Sequence, residues 1–206
     1  MVTLEQVRAL LGVADDEILP PPALFRHDSR VHGRSHVARV MVHAFRLVAA
    51  TGLVEEMPRL WASVYLHDLA RTHDGHSRGH GAAAWDRFAR LKDLPGVAEL
   101  FERGGVRRED HPAIQQAVTL HSSGEPREDD PHRHLVCLLE DADGLDRVRI
   151  HDLDPRYLRF DEAREMVDFA EALSAATRLE PRPEGNDFEW MWGRAKTFES
   201  GAAGRC

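Results

Sequence analysis

Cysteine is scarce: Cys137 and Cys206 are the only two in 206 residues. That is too few for a disulfide framework or a cysteine-based zinc site, and it makes the cytoplasm the default location. No apolar run approaches the roughly 20 residues of a bilayer-spanning helix. Glu5 and Arg8 interrupt the opening "MVTLEQVRALLG", so it does not read as a secretory signal. Basic residues are outnumbered, 27 Lys and Arg against 35 Asp and Glu, for a net charge of −8. This balance argues against general affinity for nucleic acid or anionic membranes, though not against a small anion held in a locally positive pocket. No P-loop, dinucleotide glycine fingerprint, nucleophile elbow or HExxH helix is present, which removes several enzyme classes. Neither an alternating strand pattern of useful length nor an internal repeat occurs.

Histidine, by contrast, is abundant, with 13 in the chain. It is the commonest protein metal ligand and a frequent proton carrier, so the positions of these residues matter more than their number. The surrounding pattern is one helix after another. Thr3 with Gln6 forms a capping-box signature before "LEQVRALL". "HVARVMVHAFRLVAAT" spaces its apolar residues helically up to Gly52, and "PRLWASVYLHDLA" is apolar nearly all round and therefore central. "HGAAAWDRFARL", "HPAIQQAVTLHSS", "HRHLVCLLEDADGLDRVRI" and "DEAREMVDFAEALSAATRL" follow as helices, and "NDFEWMWGRAKTF" as a last one. The expected fold is all-α, with one domain over 1–185 and a C-terminal helix with a flexible tail over 186–206. Trp190, Trp192 and Phe198 are expected to pack on the core or a partner, and His132 and His134 to be solvated.

Four His-Asp dipeptides occur: His27-Asp28, His67-Asp68, His73-Asp74 and His151-Asp152. Three lie in loop-forming sequence. His67-Asp68 directly follows "LWASVYL", where a buried helix cannot carry an imidazole and a carboxylate without partners. Those partners are an arginine or a metal. Other helices point the same way. His36 shares a face with Val40, His43 and Leu47; His121 extends the stripe of Ile114 and Val118; and Leu135, Leu139 and Ala142 lead into Asp143. One buried metal centre would satisfy all of these groups together.

This ordered set, His36, then His67-Asp68 in "VYLHDLAR", then Asp143 in "ADGLDR", resembles the HD-domain superfamily of metal-dependent phosphohydrolases over roughly residues 30–150. The resemblance implies a single HD-type helical bundle. It also implies hydrolysis of a phosphomonoester or phosphodiester, in a nucleotide or related metabolite, by a metal-activated hydroxide. By the same resemblance His36, His67 and Asp143 bind one ion, His80 and His121 bind a second, and Asp68 bridges the two. Asp141 competes with Asp143, and His76 with His80. Imidazoles and carboxylates suit one or two divalent transition-metal ions (Fe, Mn, Co, Ni or Zn) better than Mg or Ca.

Asp68 would also orient the nucleophile. His32, His73 and His76 are candidates to move a proton at the leaving group, and Arg39, Arg71, Arg78 and Arg147 to face its charge. Asp146, one turn beyond Asp143, would either orient a ligand histidine or pair with Arg147 or Arg149. Two other readings compete: a diiron oxygenase of the HD type, and a non-catalytic, metal-bound nucleotide sensor. The expected partner is a small phosphorylated, nucleotide-like substrate, with no nucleic acid and no membrane; a homo-oligomer is left open.

Overall fold

A computed structural model describes residues 2–90, 93–179 and 187–202. Every regular element among them is helical, as the sequence pattern predicts, and no strand occurs among the described residues. None of the helices described is long and apolar enough to cross a membrane. Helix α1 (Leu4–Arg8) opens with the expected capping box: Gln6 N–H donates to Thr3 Oγ1 at 3.2 Å, and Thr3 N–H to Gln6 Oε1 at 2.9 Å.

Helix α2 (Arg34–Thr51) is the central post, touching α1 and most of the elements that follow. It ends at Gly52, whose φ of 74° lies in the left-handed region and whose N–H donates to Val48 O. Helix α3 (Met57–Leu66) carries Pro58 in its first turn and buries most of its circumference. Its Trp61 ring is enclosed, and the indole N–H donates to Ile18 O at 3.0 Å, tying the N-terminal segment to the core. Helix α4 (His80–Ala89), α5 (Val97–Arg103) and α6 (His111–Leu120) follow, with α4 on α6 and α6 on α3. Helix α7 (Arg133–Leu145) closes the group against α2, α3 and α6.

Several boundaries differ from the sequence reading. Helix α3 stops at Leu66 rather than Ala70, because tight turns take over: Leu69 N–H donates to Leu66 O and Arg71 N–H to Asp68 O. Helix α7 stops at Leu145 and tightens into a 3₁₀ turn over Asp146–Ile150, where the pattern suggests one helix to Ile150. The single helix expected over 161–179 breaks at Met166 into α8 (Asp161–Glu165) and α9 (Val167–Leu179). Helix α5, one of the shortest, carries no long periodic signal and is absent from the sequence reading.

Helix α10 (Asp187–Ala202) packs on α2 and α9, burying Phe188, Met191, Trp192 and Ala195. The rings of Phe45 and Trp192 stand 5.3 Å apart, edge to face. The C-terminal helix expected after residue 185 thus packs on the same core as α2 and α9. The end of the expected flexible tail, residues 203–206 with Cys206, lies outside the described residues.

The His36 face of α2 turns wholly inward, and His43 on it is fully buried against Phe169 of α9. Neither of its ring nitrogens has a hydrogen-bond partner, and burial pulls the imidazole down to about 4. The unfolded chain, with histidine near 6.5, binds more protons between those values, so stability falls as pH drops from about 6.5 towards 4. His43→Leu is expected to flatten that loss and to exceed the wild type in stability by about 2 kcal/mol at pH 5, read by urea denaturation across pH.

Candidate metal centre

Three of the histidines sit at helix ends. His67 follows the last residue of α3, His121 follows the last of α6, and His80 is the first of α4. In each, Nδ1 faces a backbone carbonyl three residues earlier: His67 to Val64 O at 2.7 Å, His80 to Ser77 O at 2.8 Å and His121 to Val118 O at 2.5 Å. A carbonyl only accepts, so each Nδ1 carries the proton and each Nε2 presents a bare lone pair. His36, in the first turn of α2, is fixed in the same sense, its Nδ1 donating to Asp146 Oδ2 at 2.7 Å.

The four Nε2 atoms converge. His36 Nε2 lies 3.2 Å from His67 Nε2, and His80 Nε2 lies 3.0 Å from His121 Nε2. Two carboxylates enter the same space. Asp143 Oδ1 is 3.2 Å from His36 Nε2. Asp68 turns one oxygen to each pair, Oδ1 to His80 Nε2 at 3.0 Å and Oδ2 to His36 Nε2 at 3.3 Å and His67 Nε2 at 3.6 Å. Two triads result, His36–His67–Asp143 and Asp68–His80–His121, each with its ligand atoms within 4.8 Å of one another. Lone pairs and anions aimed at one another repel unless a cation lies among them, so these residues fit a metal and could hold one.

The electrostatics agree. Burial disfavours charge on His36 and Arg149 opposes it, yet hydrogen bonds to Asp143, Asp146 and Asp68 raise the imidazole to about 9. With no metal, a proton there supplies the positive charge that the carboxylates demand. Burial works against ionising Asp68, but the neighbouring imidazoles, His67 first and then His36 and His80, hold it well below the usual carboxylate range. Asp143 is lowered in the same way, with His36 foremost against burial. Burial and then His67 and His80 pull His121 down to about 3, and burial also lowers His67, so both are neutral donors at ordinary pH.

Behind this shell lies Asp146, fully buried, which the sequence leaves between two roles. It fills both. It orients His36, and it accepts from Arg39 Nε at 2.5 Å and Nη2 at 3.0 Å, with Arg149 Nη1 at 3.4 Å. Arg147 pairs with Asp152 rather than with Asp146.

The remaining candidates separate by position. Asp141 stands outside both triads: it is buried, accepting from the backbone N–H groups of Arg159 at 2.9 Å and Phe160 at 2.8 Å. His76 does not replace His80 in the triad, but with His32, Arg71 and Arg147 it lines a cavity of about 170 Å³ over the ligands. Arg71 also donates to Asp68 Oδ1 at 2.9 Å. The structure corrects the expectation that Arg39 faces the leaving group: one turn past His36 on α2, its guanidinium is engaged by Asp146 behind the two triads, and it does not line the cavity. His73 accepts from Gly75 N–H, and neither it nor Arg78 lines the cavity. His32 does, beside Asp74, and burial pulls it down to about 4.

Arg149 on the cavity wall is absent from the sequence list of groups facing the leaving group, where its only sign was a place near Asp146. Glu140 is a second omission, three residues before Asp143 on α7 and raised to about 7 by burial despite Arg159.

Gly81 lets the two ends of the second triad meet. A Cβ there would lie 1.9 Å from Val118 O and 3.0 Å from His121 Cε1. Gly81→Ala is expected to push α4 off α6, costing about 1–3 kcal/mol in chemical denaturation and lowering metal uptake through the separation of His80 from His121. Comparison with known proteins finds no matching family model, curated protein or solved structure.

Proposed function

We propose that the chain is a metal-dependent phosphohydrolase of the HD type, cleaving a phosphomonoester or phosphodiester in a nucleotide or related metabolite. The observation that carries the reading is the convergence of four Nε2 lone pairs and two carboxylates beneath one cavity, each imidazole locked by its Nδ1 bond. His36, His67 and Asp143 would hold one divalent ion and His80 and His121 a second. Asp68, with an oxygen towards each triad, would serve both. Such a pair of ions, of Fe, Mn, Co, Ni or Zn, acidifies water and neutralises charge building on a phosphoryl group.

The chain's own groups supply the rest. The 170 Å³ cavity has room for a phosphoryl group and several waters of about 30 Å³ each. Arg71, Arg147 and Arg149 line it and place guanidinium charge beside the phosphoryl oxygens. His32, neutral at ordinary pH, is suited to accept a proton from the attacking water. His76, exposed at the rim of the same cavity, is placed to pass a proton to the leaving oxygen.

Protein reloaded with Mn or Co is expected to carry about two ions per chain by elemental analysis and to release phosphate or nucleoside from some member of a panel of phosphate mono- and diesters. His67→Ala and Asp68→Ala should each abolish release while circular dichroism stays helical. Turnover retained in both variants overturns the assignment. Iron-dependent oxygen consumption without phosphate release replaces it with an oxygenase.

A further inference from the structure

A larger cavity of about 410 Å³ adjoins the phosphoryl-sized one, and the two share His121, Asp143 and Arg147. A phosphoryl group over the ligands therefore has a direct route for its ester substituent into the larger space. Leu153 and Leu158 give that space apolar wall, and Tyr157, 73% exposed, offers a ring face beside it.

The wall is preformed. Asp141 holds the backbone N–H groups of Arg159 and Phe160, and Arg159 donates from Nη1 to Tyr157 O at 2.9 Å and from Nη2 to Glu125 Oε1 at 3.3 Å. Glu140 completes it, only 9% exposed. Its Oε2 stands 2.9 Å from Arg159 Nε but receives no aligned hydrogen bond, and no other group among the described residues bonds the carboxylate. A buried carboxylate held by one ion pair but no aligned hydrogen bond, one helical turn from Asp143 and facing a cavity of this size, keeps acceptor capacity for a ligand.

We propose that the larger cavity seats the alcohol part of the substrate and that Glu140 sets specificity by accepting from two adjacent donors on it. Vicinal hydroxyls of a sugar and the N–H and NH2 edge of a base both present that chemistry. A site built to accept hydrogen bonds rejects an analogue lacking them, because its own acceptor is then left unpaired. The inference rests on the phosphohydrolase reading for the orientation of the substrate; the recognition by Glu140 can be read separately, by binding.

The test measures calorimetric binding and turnover with guanosine monophosphate, inosine monophosphate (no base amino group) and the deoxy form of guanosine monophosphate (no vicinal diol). The expected result is a preference for guanosine monophosphate on the order of tenfold to a hundredfold over one of the two analogues. The disfavoured analogue identifies which donor pair docks. Glu140→Gln should collapse that preference through KM rather than kcat. Tyr157→Ala, at an exposed side chain that the core does not need, should weaken all three ligands and serves as the second variant if Glu140→Gln misfolds. Equal binding of all three by the wild type overturns the proposal, as does a preference unchanged in Glu140→Gln. If nothing is hydrolysed but the binding preference and its loss in Glu140→Gln are seen, the catalytic reading fails and the recognition by Glu140 stands.

Discussion

The site depends on a hydrogen bond that never touches its centre. Each of four imidazoles spends its Nδ1 proton on an acceptor behind it, two on carbonyls in the last turns of α3 and α6, one on a loop carbonyl before α4 and one on Asp146. That leaves four Nε2 lone pairs pointing inward, two pairs of them 3.0 and 3.2 Å apart. Neutral imidazoles so arranged repel, and the nearby carboxylates add more negative charge. Only a cation relieves this. The rise of His36 to about 9 expresses the same demand in protons.

The helical core exists in a form that can hold this arrangement. Helices α2, α3, α6 and α7 pack on one another and bring four chain segments to one point, while α4 reaches it through the close approach at Gly81. His67 and His121 lie just past the C-terminal ends of α3 and α6, where carbonyls without intrahelical partners are free to accept from Nδ1. Ligation and capping are thus the same contact. The rearward ion network of Asp146 with Arg39 and Arg149 keeps His36 from rotating and neutralises a carboxylate that could not otherwise stay charged where it is buried.

Two cavities of different size and lining meet over the ligands. The smaller is rich in arginine and histidine and suits a compact anion; the larger mixes apolar wall, an exposed tyrosine and an under-bonded carboxylate. On the proposed phosphohydrolase reading, this division would separate two tasks: charge neutralisation at the reacting group, and discrimination at the group that leaves.

The all-helical fold was legible because apolar residues recur at helical spacing over long stretches; His36, His67, Asp68, His121 and Asp143 stood out because imidazoles and carboxylates sat on or ended apolar stripes, whereas His80 was marked only by the family resemblance. A stripe says which way a side chain points, which suffices to predict that His36, His67, His121 and Asp143 turn inward. Local pattern could not separate Asp141 from Asp143, since both follow the same apolar run near the end of α7 and only the chain at 159–160 decides which is occupied elsewhere. Nor could it place Arg39 behind the shell, Arg149 on the cavity wall or Glu140 in the neighbouring cavity. Those roles depend on long-range contacts, such as 107 residues from Arg39 to Asp146. The sequence by itself determined which helices form and which polar groups they bury, because both follow from periodicity and the cost of burying charge. Tertiary structure alone decided which of those groups meet, because a meeting point is a property of how helices cross.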